Sequence, residues 1–316
     1  MRLAFSLLLV ALFGATSGCT HDLADDDDLE DDDELAFEQS AALTRPSVKA
    51  ISHNIAGGMI SKGAPAAIDY VEAQTRAWDP DVVMLQEVCE SQFESFKTRF
   101  PTWNVKFAPM LAAKDYSSCR GGALGNVLAS KWRMSDVTAT GLGTAFDRKF
   151  NLLCADIAKS GVRAGGLRAC VTHLRAWSDD EAEPMRTRQT AKIRQTLLER
   201  ITKRKQLVVV GGDFNAVPHS KPLNNVYHQK LNGKFNGPGL FREADQTDKS
   251  FFKNAPRSVE CSPGHCRTGQ PTFAKRKLDY IFFSRSCAGG ALSGGVLGTG
   301  TSDHNLYRGR AELTCP

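Results

Sequence analysis

The chain has 316 residues, 41% hydrophobic and 24% charged, enough to bury one large core or two small ones. Collagen-like, coiled-coil, wholly disordered and multi-span membrane classes are excluded. The net charge of +5 hides an asymmetry: residues 1–44 hold one base and eleven acids, leaving 39 bases and 24 acids and a net +15 from Arg45 onward, which suits nucleic acid, a phosphorylated small molecule or an anionic membrane surface.

In chain order, Met1 and Arg2 precede an apolar run from Leu3 to Phe13, too short to span a bilayer and expected to be an export signal over residues 1–18. In place of a small-residue cleavage site, Thr16-Ser17-Gly18-Cys19 resembles a bacterial lipobox, although that pattern usually has Leu where Thr16 stands. Cys19 is therefore the expected lipidated N-terminus and membrane anchor, with ordinary secretion as the alternative. Residues 19–45 are expected to be an acidic, disordered tether, because acids make up nearly half of residues 20–44 and the large apolar residues are only Leu23, Leu29, Leu35, Phe37 and Leu43. Residues 46–316 show no repeat, linker or second low-complexity stretch and read as one α/β domain, expected to be a monomer.

Within that domain, Val48 to Ser52 alternates like a strand. Ile68, Val71, Thr75 and Trp78 fall at helical spacing, and Asp79-Pro80 ends that helix. Val82 to Leu85 is a continuous apolar run suited to a strand buried on both faces. Phe93, Phe96 and Phe100 mark one face of a helix stopped by Pro101. Strand-like runs follow at Leu152–Ile157 and Leu167–Leu174. Pro184 opens a helix with Ile193, Leu197 and Ile201 inward and Arg186, Lys192, Arg200 and Lys203 outward. Leu207 to Val210 is a second buried strand, and strands at Tyr280–Ser284, Ala291–Leu297 and Leu306–Leu313 close the chain.

Apart from Cys19, eight cysteines remain, an even number for an exported chain, where disulfides persist. About 105 connectivities are open to eight cysteines. The pairing expected here is Cys154 with Cys170, on runs that can lie side by side, Cys261 with Cys266 across a tight loop, Cys287 with Cys315, and Cys89 with Cys119. A zinc site at Cys261, His265 and Cys266 competes, but no fourth partner stands at finger-like spacing.

Polar residues cluster where the strand patterns end. Ile51-Ser52-His53 runs into Asn54, Val82 to Leu85 into Gln86-Glu87, Cys170-Val171-Thr172 into His173, and Val208 to Gly212 into Asp213-Phe214-Asn215. Asp279 opens a strand, and Asp303-His304 follows a Gly-rich turn. A carboxylate beside an apolar strand is costly unless paired or metal-bound. Gathered at one rim, these groups supply hard oxygen ligands for a divalent cation and imidazoles for proton transfer.

Seven motifs in order resemble the endonuclease/exonuclease/phosphatase superfamily of metal-dependent phosphoesterases. They are His53-Asn54, Leu85-Gln86-Glu87, the Gly125 to Ser130 run, Thr172-His173-Leu174, Gly212-Asp213-Phe214-Asn215, Leu278-Asp279-Tyr280 and Ser302-Asp303-His304. The resemblance implies a four-layer α/β sandwich, with two central mixed β-sheets packed face to face and helices outside. It implies Glu87 as the principal Mg²⁺ ligand (Mn²⁺ or Ca²⁺ also suits such donors), with Asn54 near the metal or the phosphate. It leaves open whether Asp303 shares the metal or orients His304. His304 is implied as general base, Asp213 as a neighbour of the nucleophile, and Asn215 and His173 as donors to phosphate oxygens. Asp279 either orients His173 or assists the leaving group.

Plainer readings stand beside these. Asn54 and Asn126 can close turns, His173 can be a core histidine, and Arg120, a candidate phosphate contact like Asn126, can be a surface residue. The +15 body favours a secreted nuclease acting on DNA or RNA, with Phe251-Phe252 and Trp177-Ser178 as candidate aromatic contacts to bases. The alternatives are a phosphatase or phospholipase C-like hydrolase of inositol phosphate or sphingolipid headgroups, and a non-catalytic binding module.

Overall fold

Alternation of apolar residues builds the layers. In β2 (Val82–Cys89), Val82 and Met84 face one core and Val83 and Leu85 another, and all four are fully buried. Strand geometry produces this when both faces are covered. β1 (Ser47–Asn54) does the same, with Val48 and Ala50 on one side and Ile51 on the other.

The computed structural model describes residues 46–112, 117–162, 166–228, 238–246 and 267–314, all within one compact unit, Thr44–Pro316. One six-stranded sheet runs β11 (Leu292–Val296), β12 (Tyr307–Glu312), β1, β2, β4 (Leu124–Ser130), β3 (Asn104–Leu111). The other runs β5 (Met134–Ala145), β6 (Arg148–Ile157), β7 (Leu167–His173), β8 (Leu207–Asp213), β10 (Asp279–Ser284), β9 (Phe241–Glu243). The β1–β2 and β7–β8 pairs are parallel and the other strand pairs antiparallel, so both sheets are mixed.

Between the sheets, Val48, Met84 and Leu128 pack with Leu153, Val171, Val209 and Ile281. Outside the first sheet, Ile68 and Val71 of α1 (Ala67–Trp78) and Phe96 of α2 (Glu90–Arg99) cover Ile51, Val83, Leu85 and Val127. Outside the second, Ile193, Leu197 and Ile201 of α3 (Ala182–Thr202) cover Val208 and Val210. This is the expected four-layer sandwich. Each such side chain contributes about 1.5–3 kcal/mol on burial, as an upper estimate. α1 stops where Asp79 turns left-handed, φ 49°, ahead of Pro80.

Cys154 and Cys170 stand opposite each other on β6 and β7 and are bridged, as are Cys89 and Cys119. Cys287 is also disulfide-bonded. The two bridges fit an oxidising compartment. The export signal, Cys19, the tether, Cys261, His265, Cys266, Cys315 and Phe251-Phe252 lie outside the described residues. No helix among the described residues is long and apolar enough to cross a membrane.

The basic face of α3 is less open than the sequence implied. Lys192 and Lys203 are exposed, but Arg186 and Arg200 are half-buried. Arg200 reaches Asp156 at 3.3 Å and pairs with Asp136, while Arg186 donates to the carbonyls of Arg175 and Trp177. Long cationic side chains fold onto neighbouring acceptors whose placement only the tertiary structure reveals.

Candidate active site

Strand register assembles the site. His173 of β7 pairs with Asp213 of β8, and Asp213 with Asp279 of β10, so the three side chains start from adjacent strands at one rim. In the other sheet Asn54 stands beside Gln86. A bulge in β2 between Leu85 and Val88 then turns Glu87 into a left-handed conformation, φ 54°. That conformation costs a non-glycine residue about 1–2 kcal/mol, offset here by the Gly57 N–H donating to the Glu87 carbonyl at 2.9 Å. A Cβ on Gly57 would collide with the Gln92 side chain and that carbonyl, so the close approach needs glycine. Gly212, at φ 149°, lets β8 pass the Thr172 carbonyl just before Asp213.

The groups converge on Asp213. Its Oδ2 accepts a hydrogen bond from Asn54 Nδ2 at 3.2 Å and is faced by His173 Nε2 at 3.6 Å and His304 Nε2 at 3.7 Å. Its Oδ1 accepts from the Asn215 backbone N–H at 2.7 Å. His304 is gripped on its other side by Asp279, with Nδ1 and Oδ2 2.8 Å apart. Asp279 is fixed in turn by Thr272, whose Oγ1 accepts the Asp279 N–H at 2.9 Å. Glu87 lies beyond His173, its Oε1 3.9 Å from His173 Nε2 and 3.9 Å from Arg148 Nη1, and its side chain is 12% exposed. Ser302 Oγ closes the loop, donating to the Asn54 carbonyl at 2.6 Å and accepting from the His304 N–H at 3.1 Å.

Burial raises the Glu87 carboxyl above its ordinary range, against the pull of Arg148 and His304 and with a further push from Asp303. Burial and the neighbouring Asp279 raise Asp213 as well. Burial lowers His173 to about 4, so it is neutral at pH 7. It also opposes charge on His304, but Asp279 and Asp213 overcome it and push His304 up to about 10.

Asp279 is placed against His304 rather than His173. Asn54 is committed on both ends, its Oδ1 accepting from Ala56 N and its amide holding Asp213. Asp303 is exposed at the rim. Asn215 donates from Nδ2 to the Leu174 carbonyl at 3.1 Å. Asn126 is buried and donates to Asn151 Oδ1 at 3.2 Å. Arg120 stays outside the cluster, exposed, with Nε on the Lys62 carbonyl at 3.0 Å. Two participants escaped the sequence reading, and a third, His53, stood in a motif without a role. Arg148 follows a hairpin turn without a Gly or Asn signal, Thr272 lies in a loop, and His53, buried and lowered to about 4, braces the His304 carbonyl at 3.1 Å.

The residues fit a hard divalent cation. Glu87, Asp213, Asp279 and Asp303 surround one mouth, two of them raised, and the buried Asp279 Oδ1 has no hydrogen-bond partner. Ligand atoms of Asp213, Asp279 and His304 lie within 4.8 Å of one another. Within that trio Asp279 and His304 are already bonded to each other, whereas Arg148 and His173 come no closer than 3.9 Å to Glu87.

Residues 51–304 match the family described as Endonuclease/Exonuclease/phosphatase family. A search of curated proteins finds no match. Among solved structures, the chain is similar to the human Nocturnin catalytic domain with bound sulfate anion, at 20% identity and TM-score 0.59, covering 85% of this chain and 96% of that one. It is similar to D. rerio TDP2 complexed with single strand DNA product, at 16% identity and TM-score 0.57, covering 84% and 98%. It is also similar to the endonuclease/exonuclease/phosphatase from Beutenbergia cavernae, at 16% identity and TM-score 0.60, covering 85% and 72%. At such identities the likeness speaks for the fold.

Proposed function

Because this chain belongs to the endonuclease/exonuclease/phosphatase family of hydrolytic phosphoesterases, we propose that it is an exported, divalent-metal-dependent nuclease that hydrolyses DNA or RNA by attack of water on phosphate. One observation carries the reading: Asp213 is faced at once by Asn54, His173 and His304, with Glu87 beside them, at one rim of a body carrying +15. A polyphosphate backbone is the anion such a charge suits best.

Glu87, helped by Asp303 and Asn54, would hold Mg²⁺. The ion supplies Lewis acidity at the phosphate and eases departure of the leaving oxygen. The protein does the rest. Asp279 fixes the His304 ring, and Asp213, set against that ring and raised by burial, is the group that takes the proton from water. His173 and the Asn215 amide donate to phosphate oxygens as charge builds there. The apolar leader over residues 1–18, the lipobox-like Cys19 and the two bridges support export, with Cys19 as membrane anchor and residues 19–45 as tether.

The test is hydrolysis by the purified protein, with Mg²⁺ and with EDTA, of plasmid and single-stranded DNA beside inositol phosphates and sphingomyelin. Metal-dependent cleavage of nucleic acid is expected. Release of phosphate or headgroup with nucleic acid left intact would move the same residues to a smaller substrate and sink the nuclease reading.

A further inference from the structure

Six large apolar side chains are exposed among the described residues: Met59, Ile60, Val137, Phe146, Trp177 and Val217. Five of them sit on loops at the catalytic rim. Met59 and Ile60 follow β1, Phe146 is in the β5–β6 turn, Trp177 follows β7, and Val217 follows β8. Only Val137 lies elsewhere. The two aromatics are the most exposed, Phe146 at 66% and Trp177 at 67%.

Both are held out at the expense of backbone comfort. Phe146 and Asp147 have φ of 49° and 59°, a tight hairpin turn that ordinarily takes Asn or Gly. Trp177 has φ 77°, an outlier for so bulky a residue. Strain of this kind persists when surrounding contacts fix it, and it gathers at functional sites.

The two rings are also connected to the chemistry. The buried Arg175 guanidinium lies over the Phe146 ring, 5.2 Å from its centroid, and pairs with Asp179 at 2.6 Å. Arg186 ties the carbonyls of Arg175 and Trp177 together at 3.0 and 2.9 Å. Asn215 holds the Leu174 carbonyl at the start of this segment, and Arg148, two residues beyond Phe146, reaches Glu87.

We propose that Phe146 and Trp177 form a stacking platform for unpaired bases flanking the scissile phosphate, so that the enzyme takes single-stranded nucleic acid or frayed ends in preference to paired duplex. The proposal rests on the nuclease reading and names its substrate class. Exposed rings beside arginines suit base faces, which only an unpaired strand offers. A lipid surface is disfavoured, because Asp147 follows Phe146 and Asp179, Asp180 and Glu181 follow Trp177, all exposed. Insertion of the rings would desolvate those carboxylates, whereas a base laid on a ring leaves them in water.

The test compares the full chain with Phe146→Ala, Trp177→Ala and Trp177→Phe, in Mg²⁺. The substrates are a short single-stranded oligonucleotide, its duplex, and a strand of equal length made from base-free deoxyribose units. Wild type should prefer the base-bearing single strand over both others. Each alanine variant should lower the ratio of base-bearing to base-free kcat/KM about tenfold, through KM, and Trp177→Phe should restore most of it. An unchanged ratio with both rates reduced would mean a merely structural role and overturn the proposal. So would loss of binding to phosphatidylcholine vesicles in the alanine variants with the ratio intact. A wild type that cleaves the duplex as fast as the base-bearing single strand, or faster, would also overturn the proposal. A wild type that cleaves none of the three defeats the nuclease reading; fluorescence anisotropy on the two single strands then decides the platform separately, and equal affinity with and without bases would overturn it.

Discussion

At the rim, Glu87, Asp213 and Asp279 face two histidines. Two residues before Asp279, Lys277 places its Nζ 3.4 Å from Glu243 and 3.1 Å from Asp245. Both groups of acids are buried, and in both burial drives carboxyls upward: Glu87 and Asp213 at the rim, and Glu243, well above its usual value, in the interior. The interior cluster carries its own cation. Burial opposes charge on Asp245, yet Lys277 overcomes it and holds that carboxyl below its ordinary value. Tyr307 Oη donates to Glu243 at 2.8 Å, tying β12 to β9. At the rim, among the described residues, the groups facing the acids are His304, held between Asp279 and Asp213, and Arg148, which stops 3.9 Å from Glu87. Acids neutralised from within act as structure; Glu87, which Arg148 approaches no closer than 3.9 Å, is the acid that the proposed metal would neutralise.

The comparison can be broken from either side. The largest effect should come from His304→Ala, expected to lower kcat by about 10²–10⁴-fold with an unchanged circular dichroism spectrum. A wild-type rate would remove His304 from the chemistry. Lys277→Met should cost about 3–5 kcal/mol in denaturant unfolding, because it leaves two buried acids without their partner. The sign with pH follows from the shifts. Asp245, lowered in the folded state, contributes above its unfolded pKa of about 3.9, and Lys277, raised, contributes below about 10.4. The gap between wild type and Lys277→Met should therefore be widest across neutral pH and narrow below about pH 4. A gap that widens in acid would contradict the ion pair.

Reduction of the disulfides should lower stability by about 2–4 kcal/mol per bridge, larger for Cys89–Cys119, which spans 30 residues, than for Cys154–Cys170, which spans 16. The single variants Cys119→Ser and Cys170→Ser read each separately, and no change in either would deny the bridge its role. The smallest effect is expected from Glu87→Gln without metal, a slight gain in stability as a carboxylate whose charge burial opposes is removed. A loss of stability there would mean that the carboxylate is already well paired.

Much of this was legible in the sequence, for reasons tied to particular residues. The β1, α1 and β2 patterns announce themselves through buried periodicity; Asn54, Glu87, His173 and Asp213 stand where those and similar runs end, and Asp279 where one begins. β5 escaped because it is mostly exposed and rich in Gly and Thr, and so gives no apolar signal. β9 is three residues long and carries Glu243 at its end. The choice of His304 rather than His173 as partner of Asp279 depends on how a loop 25 residues away folds back, which no local pattern encodes. Arg148 was hidden by a Phe-Asp turn that has neither Gly nor Asn.

The most direct test of the account is calorimetric titration of Mg²⁺ into the wild-type protein and Glu87→Gln, with single-strand cleavage followed in the same samples. A saturable site in the wild type, lost together with cleavage in Glu87→Gln, is the predicted result. Metal binding and cleavage that both survive Glu87→Gln, or cleavage that persists in EDTA, would contradict it.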